Sequence, residues 1–300
     1  MKSSGQPVHA PTSTMTDLYI RNLSAAPIGI FDSGIGGLSV LREIRALLPD
    51  ERLVYVADQA HVPYGCRSLA EIQQFSEAIS RFLLGQAVKL IVVACNTASA
   101  AALSFLRQRF PHIAFVGMEP AVKPAARRTQ SGKVGVLATA GTFSSERYAD
   151  LMARFAQDVM VFEDPCVGLV ALIESGQFAE SELLLREIVS PMLAAGVDTF
   201  VLGCTHYPFV VPALRRVVGT AVSIIDPGPA VARQVARVLR QSELATTDTA
   251  PPNPLFVTTG AALTFSQQIQ QLLGYGATVK TAVWQQKDER LTLQFSQVQL

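Results

Sequence analysis

Eight short apolar runs fall along this chain in two sets of four, at a nearly constant offset. Residues 28–31, 53–57, 90–94 and 113–117 make the first set, and 134–137, 159–162, 200–203 and 222–225 the second. Corresponding runs begin 106, 106, 110 and 109 positions apart. Runs repeated in the same order mark a duplicated structural unit. Helical patterns sit between them. Ser68-Leu69-Ala70-Glu71 reads as a capping box, followed by Ile72, Phe75, Ile79, Phe82 and Leu83 at helical spacing. Further helices are expected over 97–109, ending before Pro111, and over 181–193. Apolar strands alternating with helices imply parallel sheets covered on both faces. The predicted fold class is therefore α/β, with two pseudo-symmetric doubly wound domains and mainly parallel sheets, the active site lying in the cleft between them.

The repeat also places a thiol twice. Leu90-Ile91-Val92-Val93-Ala94-Cys95-Asn96-Thr97 and Thr199-Phe200-Val201-Leu202-Gly203-Cys204-Thr205-His206 each end an apolar run in a cysteine followed by polar residues. In doubly wound sheets, ligands bind beyond the carboxyl ends of the strands, where Asp32, Cys95 and Cys204 all stand. If the halves face each other, both thiols point into one cleft. A free cysteine in a buried strand is ordinarily a small hydrophobe, and two at matched repeat positions weigh against that reading. A helix beginning at Asn96-Thr97 or Thr205-His206 would lower the thiol pKa, and its backbone N–H groups would hold a carboxylate.

Other motifs leave alternatives open. Gly34-Ile35-Gly36-Gly37-Leu38-Ser39 is an incomplete dinucleotide fingerprint, with Asp58 as the candidate ribose acid. Asp32, however, would repel a pyrophosphate. Asp32 can instead cap the next helix or serve as a carboxylate beside a catalytic thiol. His206 is either structural or a partner of Cys204. Glu174, by pattern, is a solvated charge at a helix end. Val62-Pro63-Tyr64-Gly65 is a turn whose Gly65 backbone could approach a ligand closely. Cys66 and Cys166 have no matched context and read as structural.

Composition narrows the function classes. The net charge of +1 leaves no electrostatic footprint for nucleic acid or an acidic membrane surface. The uncharged apolar run over residues 90–106 is too polar in its middle to span a membrane. Four cysteines without a C-x-x-C pair argue against a zinc site and for a reduced, cytoplasmic setting. Residues 1–26 lack the apolar core of a signal peptide and are expected to be a flexible extension. The first domain is expected over 27–118 plus about 227–300, the second over 119–226. The tail from 226 onward is expected to hold a helix over 228–239, a linker over 246–254 and a final strand-like stretch.

Phe31-Asp32-Ser33-Gly34-x-Gly36-Gly37, Pro63-Tyr64-Gly65, Ala94-Cys95-Asn96-Thr97-Ala98, Ala138-Thr139-x-x-Thr142 and Gly203-Cys204-Thr205-His206-Tyr207-Pro208 together resemble bacterial glutamate racemase, of the aspartate/glutamate racemase family, over about residues 27–240. The resemblance implies a cofactor-independent interconversion of L- and D-glutamate, with no metal and no pyridoxal phosphate, supplying D-glutamate for peptidoglycan. One thiolate takes the Cα proton while the other thiol donates one on the opposite face. It also implies that Asp32 assists Cys95 and that His206 assists Cys204, with Glu174 on that histidine. Substrate contacts carry over to Asp32, Ser33, Pro63, Tyr64, Gly65, Cys95, Asn96, Thr97, Thr142, Cys204, Thr205 and His206. The related aspartate racemases have Glu after Gly-Cys-Thr, so His206 favours glutamate. Some members are activated by a UDP-linked muropeptide precursor, some inhibit DNA gyrase, and members dimerise in different ways, so a homodimer or monomer–dimer equilibrium is expected. The rivals are a racemase for aspartate or another amino acid, a cysteine hydrolase, and a non-catalytic binding protein for amino acids or a protein partner.

Overall fold

The computed structural model describes residues 23–249, 253–288 and 290–296. Residues 1–22 of the expected N-terminal extension and 250–252 of the expected linker lie outside them. Two sheets organise the chain. In chain order the strands are β1 (Ile28–Asp32), β2 (Leu53–Ala57), β3 (Leu90–Val93), β4 (Ala114–Val116), β5 (Lys133–Ala138), β6 (Met160–Asp164), β7 (Thr199–Gly203), β8 (Ser223–Ile225), β9 (Leu255–Thr258), β10 (Val279–Lys287) and β11 (Arg290–Phe295). The larger sheet runs β11-β10-β9-β2-β1-β3-β4 and the smaller β6-β5-β7-β8. Positions β2-β1-β3-β4 and β6-β5-β7-β8 correspond one for one, so the sequence repeat is a repeat of topology. Every pairing is parallel except β10 with β11.

Period-two alternation distributes the strand side chains between layers. Ile28 and Ile30 of β1, with Leu90 and Val92 of β3, join one apolar cluster with the helix Leu38–Leu47. Phe31, Ile91 and Val93 join another with the helices Leu69–Gly85 and Asn96–Arg109. Both faces of the larger sheet are thereby covered, which explains why β1, β2 and β3 are buried at every position. The capping box forms as the sequence predicts: Ser68 Oγ accepts from the Glu71 N–H, and Glu71 Oε2 accepts from the Ser68 N–H at 2.9 Å. The helix Gly228–Gln241 packs against Leu38–Leu47. No helix among the described residues is long and apolar enough to cross a membrane.

Strand order reverses direction between β1 and β3 in one sheet and between β5 and β7 in the other. These are the switch points, where the connections leave to opposite sides and open a crevice at the carboxyl ends of the strands. Asp32 and Cys95 stand at the first switch point, Thr139 and Cys204 at the second.

Candidate active site

The two switch points meet around one small cavity. Ser33, Pro63, Tyr64, Gly65, Cys95, Asn96, Thr97, Cys204, Thr205 and His206 line it, together with Thr139 and Val170. The space is about 10 Å³ for the centre of a water molecule, on the order of one water. Cys95 and Cys204 are 5% and 7% exposed, so both sulfurs are nearly shut off from solvent.

Cys95 follows β3 and caps the helix Asn96–Arg109, its Sγ accepting from the Ala98 N–H at 3.5 Å. The sequence expectation was that this helix start would lower the thiol pKa. Instead the Cys95 thiol is pushed well above its ordinary value, by burial first and then by the neighbouring Asp32 charge. The magnitudes explain the reversal. A helix dipole contributes about 0.3–1 kcal/mol, whereas full burial moves a group by roughly 3–5 pKa units. Cys95 is therefore held as a thiol. Asp32 itself is raised by burial, against the pull of His206, Thr205 and Ser33. Its carboxyl accepts from the Ser33 N–H at 2.6 Å and from Thr205 Oγ1, across the two halves, at 3.0 Å. It does not cap the following helix, whose first turn has no side-chain cap.

Cys204 is placed differently. No α-helix starts directly behind it. A turn and the 3₁₀ segment Tyr207–Val210 intervene before the helix Val211–Val218. Its partner is instead His206, whose Nδ1 lies 3.6 Å from Cys204 Sγ. The opposite ring nitrogen, Nε2, donates to Glu174 Oε1 at 2.6 Å. Burial presses the imidazole toward its neutral form, but the Cys204 sulfur and Glu174 outweigh it and the His206 pKa rises well above its usual value.

Glu174 corrects the solvated helix-end reading. It ends the helix Leu169–Glu174 and turns inward, accepting from the Ile35 N–H at 2.8 Å as well as from His206. Gly34 makes this possible, because a Cβ there would lie 1.9 Å from Glu174 Oε1. At Gly36 a Cβ would meet His206 Nδ1 and Thr205 Oγ1 at 2.5 Å and Asp32 Oδ2 at 2.7 Å. The glycine loop is filled by side chains of the other half, which leaves no berth for a pyrophosphate and removes the dinucleotide reading. Asp58 likewise faces elsewhere, accepting from Tyr64 Oη at 2.7 Å.

Asn96 is 3% exposed, and neither of its amide atoms has a hydrogen-bond partner among the described residues. An unpartnered buried amide costs about 1–3 kcal/mol, so this one is free to meet a polar ligand. Thr142 does not line the cavity. It stands behind the lining, 3.1 Å from Thr139 Oγ1, which in turn lies 2.8 Å from Thr97 Oγ1. Thr139 and Val170 are the lining residues that sequence reasoning did not select. The threonine is the N-cap of the short helix Ala140–Phe143, a role that shows only once that helix is seen; the valine has no signal.

The family described as Asp/Glu/Hydantoin racemase matches residues 28–235. The chain is 56% identical over 231 residues to the glutamate racemase of Ectopseudomonas mendocina, covering 76% of this chain and 88% of that relative. Among solved structures, Escherichia coli glutamate racemase in complex with L-glutamate and the activator UDP-MurNAc-ala aligns with a TM-score of 0.75 at 36% identity, covering 85% of this chain and 97% of that one. Glutamate racemase from Francisella tularensis in complex with D-glutamate aligns with a TM-score of 0.75 at 31% identity, covering 87% and 97%.

Proposed function

The chain belongs to the Asp/Glu/Hydantoin racemase family and racemises glutamate, and from that premise we propose that Cys95 and Cys204 are its two proton-transfer groups. The observation that carries the reading is their placement: each stands at a switch point of its own sheet, and both line one cavity. Racemisation needs a base on one face of Cα and an acid on the other, and facing half-domains supply one from each side.

The resting protonation follows from the surroundings. Burial and the Asp32 charge hold Cys95 as the thiol, so the forward direction is the one in which Cys204, beside the His206 ring that Glu174 holds, acts as base. With glutamate bound, Cys204 takes the Cα proton and the carbanion collects the Cys95 proton on its other face. The substrate leaves inverted, and the negative charge has moved from Cys204 to Cys95. The reverse reaction runs the same steps backward. Asp32 bears on Cys95 as His206 bears on Cys204. Ser33, Asn96, Thr97 and Thr205, with the Tyr64–Gly65 loop, meet the polar ends of the substrate, and Thr142 supports Thr97 through Thr139.

In this reading the enzyme is cytoplasmic and supplies D-glutamate for peptidoglycan, which growth of a D-glutamate auxotroph on the cloned chain would test. A UDP-linked muropeptide is proposed as activator on the strength of the Escherichia coli structure; racemisation assayed with and without it is the check. The central experiment is exchange in deuterated water. Wild type incorporates deuterium at Cα as it racemises, and Cys95→Ala and Cys204→Ala each lose about 10²–10⁴-fold in racemisation rate, the usual worth of one positioned proton-transfer group. Normal racemisation by both variants would end the two-thiol reading. Faster turnover of aspartate than of glutamate would move the substrate assignment.

A further inference from the structure

Asp58 follows β2 and is wholly buried, yet it lies outside the proton-transfer machinery. Four side chains converge on its carboxylate. Tyr64 Oη donates to Oδ2 at 2.7 Å and Thr259 Oγ1 to Oδ1 at 2.8 Å. Trp284 Nε1 donates to Oδ1 at 2.8 Å, and His61 Nδ1 lies 2.9 Å from Oδ2. The His61 ring is stacked on Phe75, with centroids 3.9 Å apart, and meets Trp284 edge-on at 5.0 Å. Two of the four, His61 and Tyr64, belong to the loop that brings Pro63, Tyr64 and Gly65 to the cavity. The other two come from the C-terminal strands, Thr259 directly after β9 and Trp284 in β10. Those strands lie beyond residue 235, where the family match ends.

We propose that Asp58 is a positioning residue for the substrate-facing loop, and that the β10–β11 hairpin acts on the site through Trp284. A buried carboxylate that accepts from several donors holds each in one direction, since every lone pair it fills would otherwise be lost to burial. Burial and the Asp58 charge raise the Tyr64 pKa well above its usual value, so this hydroxyl remains a donor. Its bond fixes the ring that lines the cavity and, with it, the Gly65 backbone. The approach there is close: a Cβ on Gly65 would lie 2.9 Å from Thr139 Cβ, in the other half. A loop set this tightly against the second sheet transmits small displacements to the bound substrate. The thiols are not touched by Asp58, so its contribution falls on binding.

The inference rests on the glutamate reading, and its test separates the two. Trp284 is the single tryptophan of the chain, which makes its emission a reporter for this cluster. In wild type, glutamate changes that emission along a curve that saturates in the range of KM. Trp284→Phe keeps the ring against His61 and Phe75 but removes the donor. It raises KM for glutamate roughly five- to tenfold and leaves kcat within about twofold, as expected for lost uniform binding. Tyr64→Phe raises KM as well, and the double variant shows less than the product of the two effects, because both cut one network. A Trp284→Phe enzyme with wild-type KM, or fully multiplicative effects, overturns the proposal, whether or not its Tm has fallen. A wild-type chain that does not racemise glutamate overturns the glutamate reading instead.

Discussion

Cys95 and Cys204 are equivalent in the repeat but not in charge. One is surrounded by burial and a carboxylate, the other faces an imidazole backed by Glu174. The two enantiomers of glutamate are equal in free energy, so kcat/KM must coincide for L→D and D→L at every pH. The inequality of the thiols can then show only in kcat and KM separately. Cys95 ionises well above the ordinary thiol range. In the direction that begins with Cys95 as base, kcat rises as pH increases, because more of the complex carries its thiolate. In the opposite direction Cys95 must hold its proton, and kcat falls as pH passes that raised value. Full pH profiles in both directions, with coincident kcat/KM and diverging kcat, are the expected result. Asp32→Asn removes the negative charge that pushes Cys95 up, so the alkaline limbs move to lower pH. Limbs that stay in place would mean that Asp32 does not act on Cys95.

At the scale of elements, Cys95 has a second task as the N-cap of the helix Asn96–Arg109. Sulfur at 3.5 Å is a weak cap, and a serine hydroxyl ranks among the best. Cys95→Ser is expected to match or exceed the wild-type unfolding free energy, while Cys95→Ala loses about 0.5–1 kcal/mol. Both racemise about 10²–10⁴-fold more slowly. Chemical denaturation beside activity assays separates the two tasks, and a serine variant less stable than the alanine one would refute the capping account. The inner strands of the repeat were legible because they are buried on both faces and read as unbroken apolar runs: 53–57 was placed to the residue, and β1 and β3 to within one. The short helices Val122–Arg128, Ala140–Phe143 and Leu169–Glu174 were not legible, since two turns or fewer leave no period to detect. Nor were β9 to β11 resolved as separate strands; β10 exposes Lys280, Gln285, Gln286 and Lys287 and lacks the apolar run of the inner strands. Site residues divide along the same line. Those at strand ends were visible from local pattern. The inward turn of Glu174 depends on His206, 32 residues away, and no local pattern encodes it; the family resemblance alone pointed there.

At the scale of the whole molecule, the larger sheet differs from its twin by what lies along β2. In the smaller sheet β6 is an edge strand; in the larger, β9 pairs with β2 over Val54–Ala57 and β10 pairs with β9. Removing residues 253–300 would bare the backbone of β2, a buried apolar strand, and an uncovered flat edge invites pairing between copies. Size-exclusion chromatography with light scattering is expected to show higher oligomers of the truncated chain, and an unchanged profile would count against this role. The cavity has one more consequence. Room for the centre of about one water is too little for a glutamate molecule, so on this reading the halves part for each substrate to arrive. The same parting is the route by which any other small electrophile reaches the two inner sulfurs. Cys66 is the exposed cysteine, while Cys95, Cys166 and Cys204 are buried. Iodoacetamide should therefore alkylate one thiol per chain promptly and the rest at the pace of opening. Saturating glutamate, by keeping the halves together, should slow the loss of activity without slowing the first alkylation. Intact-protein mass spectrometry over time would then read the breathing of the enzyme as a count of carboxamidomethyl groups.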